Sequence, residues 1–407
     1  MAARYHNGSL YNSEVNNLSG KELISPETEK EVISFASDLV KIKSVSGNEE
    51  EIIKFIEKKM KSLDYDEVKV DSMGNLLGRV GRGDNPILFD SHVDTVEAAD
   101  QENWDVSPFS GKIIDGYIYG RGAADMKSGA AASIYAAAEA KKEGLDSGKS
   151  VYVSCTVLEE DCDGENLRHL FRELDLRPDC VIICEPSGNR IVLGHKGKAQ
   201  INVRIRGVSA HGSAPEKGVN AIYEMADIIR RVERTNKGLI KKDGLSGTLV
   251  MSKISSRSES LNAVPSECEA HLDRRLAPGE TRSDIRDEMD RIIQGKNASW
   301  EIIKILRKSW TGMNVEYLPF HPAWEIDPEH ELFRACIAAY RNTFGVDPDR
   351  YEFWDFSTNA VAPASMGIPV IGFGPGEYKS AHMNNERCRL DQITDACRFY
   401  KALINTI

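Results

Sequence analysis

The sequence of 407 residues lacks any apolar run that approaches the ~20 residues a bilayer-spanning helix needs, so no membrane role is expected. Its opening, Met-Ala-Ala-Arg-Tyr-His-Asn-Gly, has no apolar core of the kind a secretion signal carries, and export is not expected. It also lacks an excess of positive charge. Lys and Arg number 52 against 63 Asp and Glu, a formal charge of −11, which argues against binding nucleic acid through phosphate contacts. The eight cysteines include no C-x-x-C pair, and a disulfide framework is not expected in so long a chain without an export signal. Cys155, Cys180 and Cys184 fall in strand-like runs and read as buried, inert thiols. Cys162 follows an acid pair closely, but a soft thiolate is an odd partner among carboxylates. The cytoplasm is the expected compartment.

What remains is a soluble globular composition, 28% charged and 41% hydrophobic, in a chain too long for one ordinary core. Two domains are expected. The first twenty or so residues are polar and rich in Asn and Ser, a loosely docked arm. Ser25-Pro26-Glu27 then reads as an N-cap, a proline in the first turn and an early acid, followed by apolar residues at helical spacing. A second helix fits 50–63. Strand-like runs at 75–80, 86–96, 151–158 and 179–184, with an Ala-rich helix over 128–140, imply a largely parallel sheet covered by helices. The pattern then changes. A half-exposed strand at 200–206, a helix at 219–235, strands at 248–254 and 267–276, a helix at 283–293 and a strand at 300–306 give the order βαββαβ, the split-βαβ sandwich. A helix over 328–344 and a return strand over 368–373 rejoin the first part.

The chain is rich in one thing: metal-donor side chains at the ends of apolar runs. His92 and Asp94 follow Ile87-Leu88-Phe89, and Asp125 lies in the Gly/Ala-rich stretch 120–129. Glu159 and Glu160 close the run at 151–158, Glu185 closes Val181-Ile182-Ile183-Cys184, and His382 arrives on the returning segment. Open α/β sheets place ligand sites at such strand ends. Two imidazoles and four carboxylates exceed the three protein ligands usual for a catalytic zinc, so two divalent ions sharing one carboxylate are expected. One acid is then free for proton transfer. Residues two apart in a strand face one way, so Asp94 is expected to hydrogen-bond His92 and fix its tautomer. Adjacent carboxylates repel unless a cation lies between them, and on extended backbone Glu159 and Glu160 point to different sides. One of the pair can then bind metal while the other serves as general base.

Each motif alone also has an ordinary reading: a solvated His-Asp loop, a helix-capping Asp125, an acidic turn running on into Asp161 and Asp163. A phosphate loop at 120–129 is the obvious competitor. It fails because Met126, not Gly, precedes Lys127 and because Asp125 would repel phosphate. His6, His169, His271, His321 and His330 lack any such context and read as structural or surface residues.

The order and spacing of these motifs resemble the di-zinc aminoacyl hydrolases: carboxypeptidase G, acetylornithine deacetylase, succinyl-diaminopimelate desuccinylase, aminoacylase and related dipeptidases. The resemblance rests on Ser91-His92-Val93-Asp94, Gly120-Arg121-Gly122 through Asp125-Met126-Lys127, Glu159-Glu160-Asp161, Cys184-Glu185-Pro186, Ser209-Ala210-His211-Gly212, and Ala381-His382 with Asn385-Glu386. Phe356-Ser357-Thr358-Asn359 and Gly194-His195-Lys196-Gly197 resemble a YgeY-like hydrolase subgroup associated with selenium metabolism. The resemblance implies an α/β, zinc-exopeptidase-like catalytic domain (1–198 and 312–407) and an inserted ferredoxin-like lid and dimerisation domain (199–311). It implies His92 and Glu185 on one zinc, Glu160 and His382 on the other, Asp125 bridging both through a cis bond to Met126, Glu159 as general base and Asp94 orienting His92. Cobalt or manganese could replace zinc, and the ions would lie roughly 3.5 Å apart. His211, reaching in from a partner subunit, would supply an oxyanion donor. Asn262, Arg275, Gly374 and Gly376 would face the substrate. Asn359 stands where relatives often carry an acid, so no charge-dependent role is assigned to it. The expected activity is hydrolysis of an amide bond (peptide, N-acyl or N-carbamoyl) in a small amino-acid-like substrate. A catalytically silent metal- or peptide-binding relative is the rival reading.

Overall fold

The computed structural model describes residues 23–240 and 245–407. The polar arm expected over the first twenty residues, His6 included, lies outside them. Ser25 caps the first helix, Pro26–Lys41, by accepting the Thr28 N–H, as its sequence suggests. A nine-stranded sheet forms the larger domain. Its centre is parallel: Lys149–Thr156, Asn85–His92, Cys180–Ile183 and Val370–Gly372 lie side by side. The flanks are mostly antiparallel, which the expectation of a largely parallel sheet had not separated. Glu67–Val70 and Leu76–Gly81 are joined by a short turn, and a short connection can only build an antiparallel pair.

The Ala-rich helix Ser128–Lys142 is buried on nearly every face and packs against the C-terminal helix Leu390–Thr406. Small side chains permit that approach, and Gly129 permits a closer one. A Cβ there would stand 2.4 Å from the Cys184 carbonyl oxygen. Among the described residues no helix is long and apolar enough to cross a membrane. All eight cysteines are free and buried.

The smaller, separate domain follows the expected βαββαβ order. Its sheet runs Thr248–Arg257, Glu267–Leu276, Gly197–Arg206, Ala298–Ile302, all antiparallel, with Phe320–His321 also paired to Gly197–Arg206. Helices Ala221–Leu239 and Arg282–Ile293 cover one face over a core of its own. The strand expected at 300–306 is divided. Ala298–Ile302 joins this sheet, whereas Ile305–Lys308 forms a hairpin with Asn314–Tyr317. The reason lies in packing: Ile305, Trp310, Val315 and Tyr317 belong to the apolar cluster of the larger domain. The helix expected from 328 begins at Glu331, because the His330 side chain accepts the Leu332 N–H and caps it there.

Candidate metal centre

The donor residues meet at the carboxyl ends of the parallel strands. His92 is the last residue of Asn85–His92, and Glu159, Glu160 and Glu185 lie just beyond Lys149–Thr156 and Cys180–Ile183. Asp125 stands between two imidazoles. Its Oδ1 is 3.0 Å from His92 Nε2 and its Oδ2 is 3.2 Å from His382 Nε2. Glu185 Oε1 lies 3.6 Å from His92 Nε2, and Glu160 Oε1 lies 3.0 Å from His382 Nε2. Among the described residues two groups of potential ligand atoms, each within 4.8 Å of one another, result: His92, Asp125, Glu160 and His92, Glu159, Glu185. The peptide bond between Asp125 and Met126 is cis.

Asp94 differs from its expected geometry. His92 Nδ1 meets the backbone carbonyl of Asp94 at 3.0 Å, whereas the nearer Asp94 carboxylate oxygen is 3.5 Å away. The strand stops at His92, yet the Asp94 carboxylate stays beside the same ring nitrogen and helps to hold the imidazole charged. The Asp94 carboxylate also accepts the N–H groups of Glu159 and Glu160, at 3.1 Å each, and the Ser46 hydroxyl. Buried Glu49 accepts the N–H of Leu158. Three successive amides before and within the acid pair are thus pinned by two buried carboxylates.

Burial opposes a charge on His92, but the Glu185 carboxylate, then Asp125 and Asp94, outweigh it and hold the imidazole well above its usual range. His382 is lifted to about 10 by its hydrogen bonds to Asp125 and Glu160. Burial would raise Asp125, yet His382 and His92 overcome it and keep it below the usual carboxylate range. Glu159, Glu160 and Glu185 are all pushed up, chiefly by burial. Glu159 Oε1 is buried and has no hydrogen-bond partner among the described residues. A set of buried, mutually repelling carboxylates interleaved with imidazoles is chemically suited to divalent cations.

The donors line a cleft of about 280 Å³ together with Asp163, Lys198, Arg275, Phe356, Ser357 and Tyr378. Of the residues expected to face substrate, Arg275 is here. Gly374 and Gly376 are not among the lining residues. A Cβ on Gly374 would stand 2.4 Å from the Glu185 carbonyl oxygen and one on Gly376 3.0 Å from Ala124 Cα, so both glycines let the ligand-bearing segments pack closely. His211 and Asn262 are neighbours on the smaller domain, linked by the Gly212 N–H to the Asn262 carbonyl, and lie outside their own chain's cleft. Cys162 is buried and does not line it either.

Lys198 and Asp163 were missed by sequence reasoning. They form a largely buried pair, with Nζ 3.2 Å from Oδ2, and Lys198 sits directly across the strands from Arg275. Asp163 had been read only as part of an acidic turn, and Lys198 borders the Gly194–Gly197 motif; neither position carried a signal of its own. Asn359 is fully committed: Nδ2 donates to Asp90 Oδ2 and Thr156 Oγ1, and Oδ1 accepts the Gly164 N–H. Asn359→Asp would set a second carboxylate against buried Asp90. A loss of about 3 kcal/mol is expected from the denaturant midpoint at constant slope; a stability unchanged within 1 kcal/mol would contradict this account.

The sequence profile of Peptidase family M20/M25/M40 matches residues 88–406. This chain belongs to that family. The uncharacterized protein YgeY of Escherichia coli K12, a relative in this comparison, is 36% identical over 373 residues, 91% of this chain and 92% of that one. Among solved structures, the M20 chain resembles the aminopeptidase PepT of Bacillus cereus (TM-score 0.73, 22% identity, 95% of this chain and 99% of that one). A tripeptidase of Staphylococcus aureus gives a TM-score of 0.74 at 22% identity, over 94% and 98% of the two chains. A dinuclear metal-binding M20 peptidase of Bacillus subtilis gives 0.69 at 16% identity, over 94% and 100%. The larger α/β domain and the separate smaller domain are thus the M20 architecture.

Proposed function

We propose that this M20 protein hydrolyses an amide bond of a small amino-acid-derived substrate, with two divalent ions held by His92, Asp125, Glu160, Glu185 and His382. The observation that carries the reading is the placement of Asp125, each oxygen turned to a different imidazole, in one cleft with a Glu159 oxygen that has no hydrogen-bond partner among the described residues. His92 and Glu185 would hold one ion, Glu160 and His382 the other, and Asp125 both. Zinc is the first choice, and cobalt and manganese suit the same donors. Bound there, the ions would acidify water and polarise the scissile carbonyl. Glu159 would take a proton from the attacking water and return it to the departing amine. Asp94 holds the amides of Glu159 and Glu160 and so steadies the backbone that carries the base. A silent binding protein would have no use for a buried carboxylate oxygen left unpartnered among the described residues.

Arg275 and Lys198, opposite each other on neighbouring strands, offer the cleft two cations, Arg275 paired with Asp273 and Lys198 with Asp163. That favours a substrate end bearing a carboxylate. Eight unpaired cysteines suit the reducing cytoplasm. The test is a panel of dipeptides, N-acyl and N-carbamoyl amino acids with zinc, cobalt or manganese added. Failure to hydrolyse any of them, by protein shown to bind two ions, would remove the reading.

The smaller domain would act as lid and dimer interface. Thr248–Arg257 lies at the end of its sheet, with Val250 and Ile254 half exposed, and an unpaired edge invites a second copy. Pairing across a two-fold would carry His211 and Asn262 to the neighbouring cleft. Mixed Glu159→Ala and His211→Ala chains, each inactive alone, are then expected to regain part of the activity as subunits exchange. Verified exchange with no recovery would confine His211 to its own chain.

A further inference from the structure

One fully buried acid serves the cluster without belonging to it. Glu386 Oε1 accepts the N–H of Ala124 at 2.9 Å and the N–H of Asp125 itself at 3.1 Å. Its Oε2 accepts Arg121 Nη1 at 2.6 Å, and its backbone carbonyl accepts the Gly120 N–H. Arg121 in turn lies over the Trp104 ring. Glu386 follows His382 by four residues in the same loop, and His382 has a left-handed backbone, φ 61°. A single side chain therefore ties the segment that delivers Asp125 to the segment that delivers His382.

We propose that Glu386 is a positioning residue. By capping the Ala124 and Asp125 amides, it sets the direction of the Asp125 carboxylate, and it fixes the His382 loop at the distance at which both can share an ion. The proposal rests on the two-ion reading above. Its competitor is simpler: Glu386 balances the buried Arg121 charge and nothing more. The two accounts separate because charge balance needs Oε2, whereas positioning needs Oε1.

The experiment compares Glu386→Gln/Arg121→Met with Glu386→Ala/Arg121→Met in the full-length protein. Both lack the ion pair. The glutamine double can still offer its amide oxygen to the two N–H groups, with no guanidinium left to oppose its NH2; the alanine double offers nothing. Calorimetric titration with zinc alone, and the visible spectrum with cobalt alone, read the site independently of turnover. The glutamine double should bind two ions within a few-fold of wild type. The alanine double should bind at least one of them about 10–100-fold more weakly, the effect usual for losing a group that orients a ligand. Equal affinities in the two doubles would overturn the proposal. If the alanine double does not fold, Glu386→Asp takes its place: the charge stays, the oxygens retreat by one methylene, and affinity must fall at least about tenfold by the same reasoning. An unchanged affinity there would overturn it equally. Wild-type protein that binds fewer than two ions would instead remove the two-ion reading and leave the role of Glu386 in holding the loops to be read from amide exchange at Asp125, fast in the alanine double and slow in the glutamine one.

Discussion

Glu159→Gln is expected to lower kcat by about 10²–10⁴, the range for removing a positioned general base, while the bound metal content stays at its wild-type value. The substitution keeps size and shape, so the backbone pinned by Asp94 has no reason to move. Glu159 stands close enough to His92 and Glu185 to count as a donor, and this makes the metal measurement decisive. A base lost leaves two ions and little turnover. A ligand lost leaves one ion. Turnover within tenfold of wild type would exclude Glu159 as the base, and loss of one equivalent of metal would move it into the ligand set. KM should change little, because the missing step involves water rather than the binding of substrate.

Stripping the ions with a chelator is expected to abolish hydrolysis and to lower the melting temperature by several degrees. Either zinc, cobalt or manganese should restore both. At a free concentration about 1,000 times the dissociation constant, one ion bound only to the folded chain adds about 4 kcal/mol. The protein without ions carries Glu159, Glu160 and Glu185 pushed up chiefly by burial, hence prone to hold protons. Ligand carboxylates must lose those protons to bind, so loading releases protons and tightens as pH rises from the acid side. Titration calorimetry in buffers of different ionisation enthalpy reads that release. Equal heats in all buffers, or a melting temperature indifferent to metal, would contradict the account.

Much of this candidate site could be read from the sequence because His92, Glu159, Glu160 and Glu185 lie at strand ends. Runs such as Val181-Ile182-Ile183 announce themselves, and the acid that ends the run is placed by the fold rather than by its own environment. The order βαββαβ was legible for the same reason, since its periods are long and regular. Strands Val192–His195, Trp324–Glu325 and Glu352–Trp354 were not legible. They span two to four residues and exist only because each pairs with another short neighbour at the junction of the two domains. Asp94 lies beside His92, as the two-residue period suggests, but its hold on the Glu159 and Glu160 amides was not legible. Those amides lie beyond the end of a neighbouring strand, which no period within one strand reaches. Lys198 joins the cleft through its register opposite Arg275, which is a property of two strands and of neither alone.

The smaller domain leaves and re-enters along hydrogen-bonded neighbours: Ile201 faces Ile302 in antiparallel register. A tight two-residue turn suffices to join strands so placed. The whole segment between them is thus a cassette that could be excised, or exchanged for another chain's, with one short splice. The shortened polypeptide would keep all five proposed ligand positions and Glu159 but would lose His211, Asn262 and Arg275. Recombination at this one seam would therefore change the residues proposed to meet substrate and partner, while the donor cluster that the larger domain assembles stays in place.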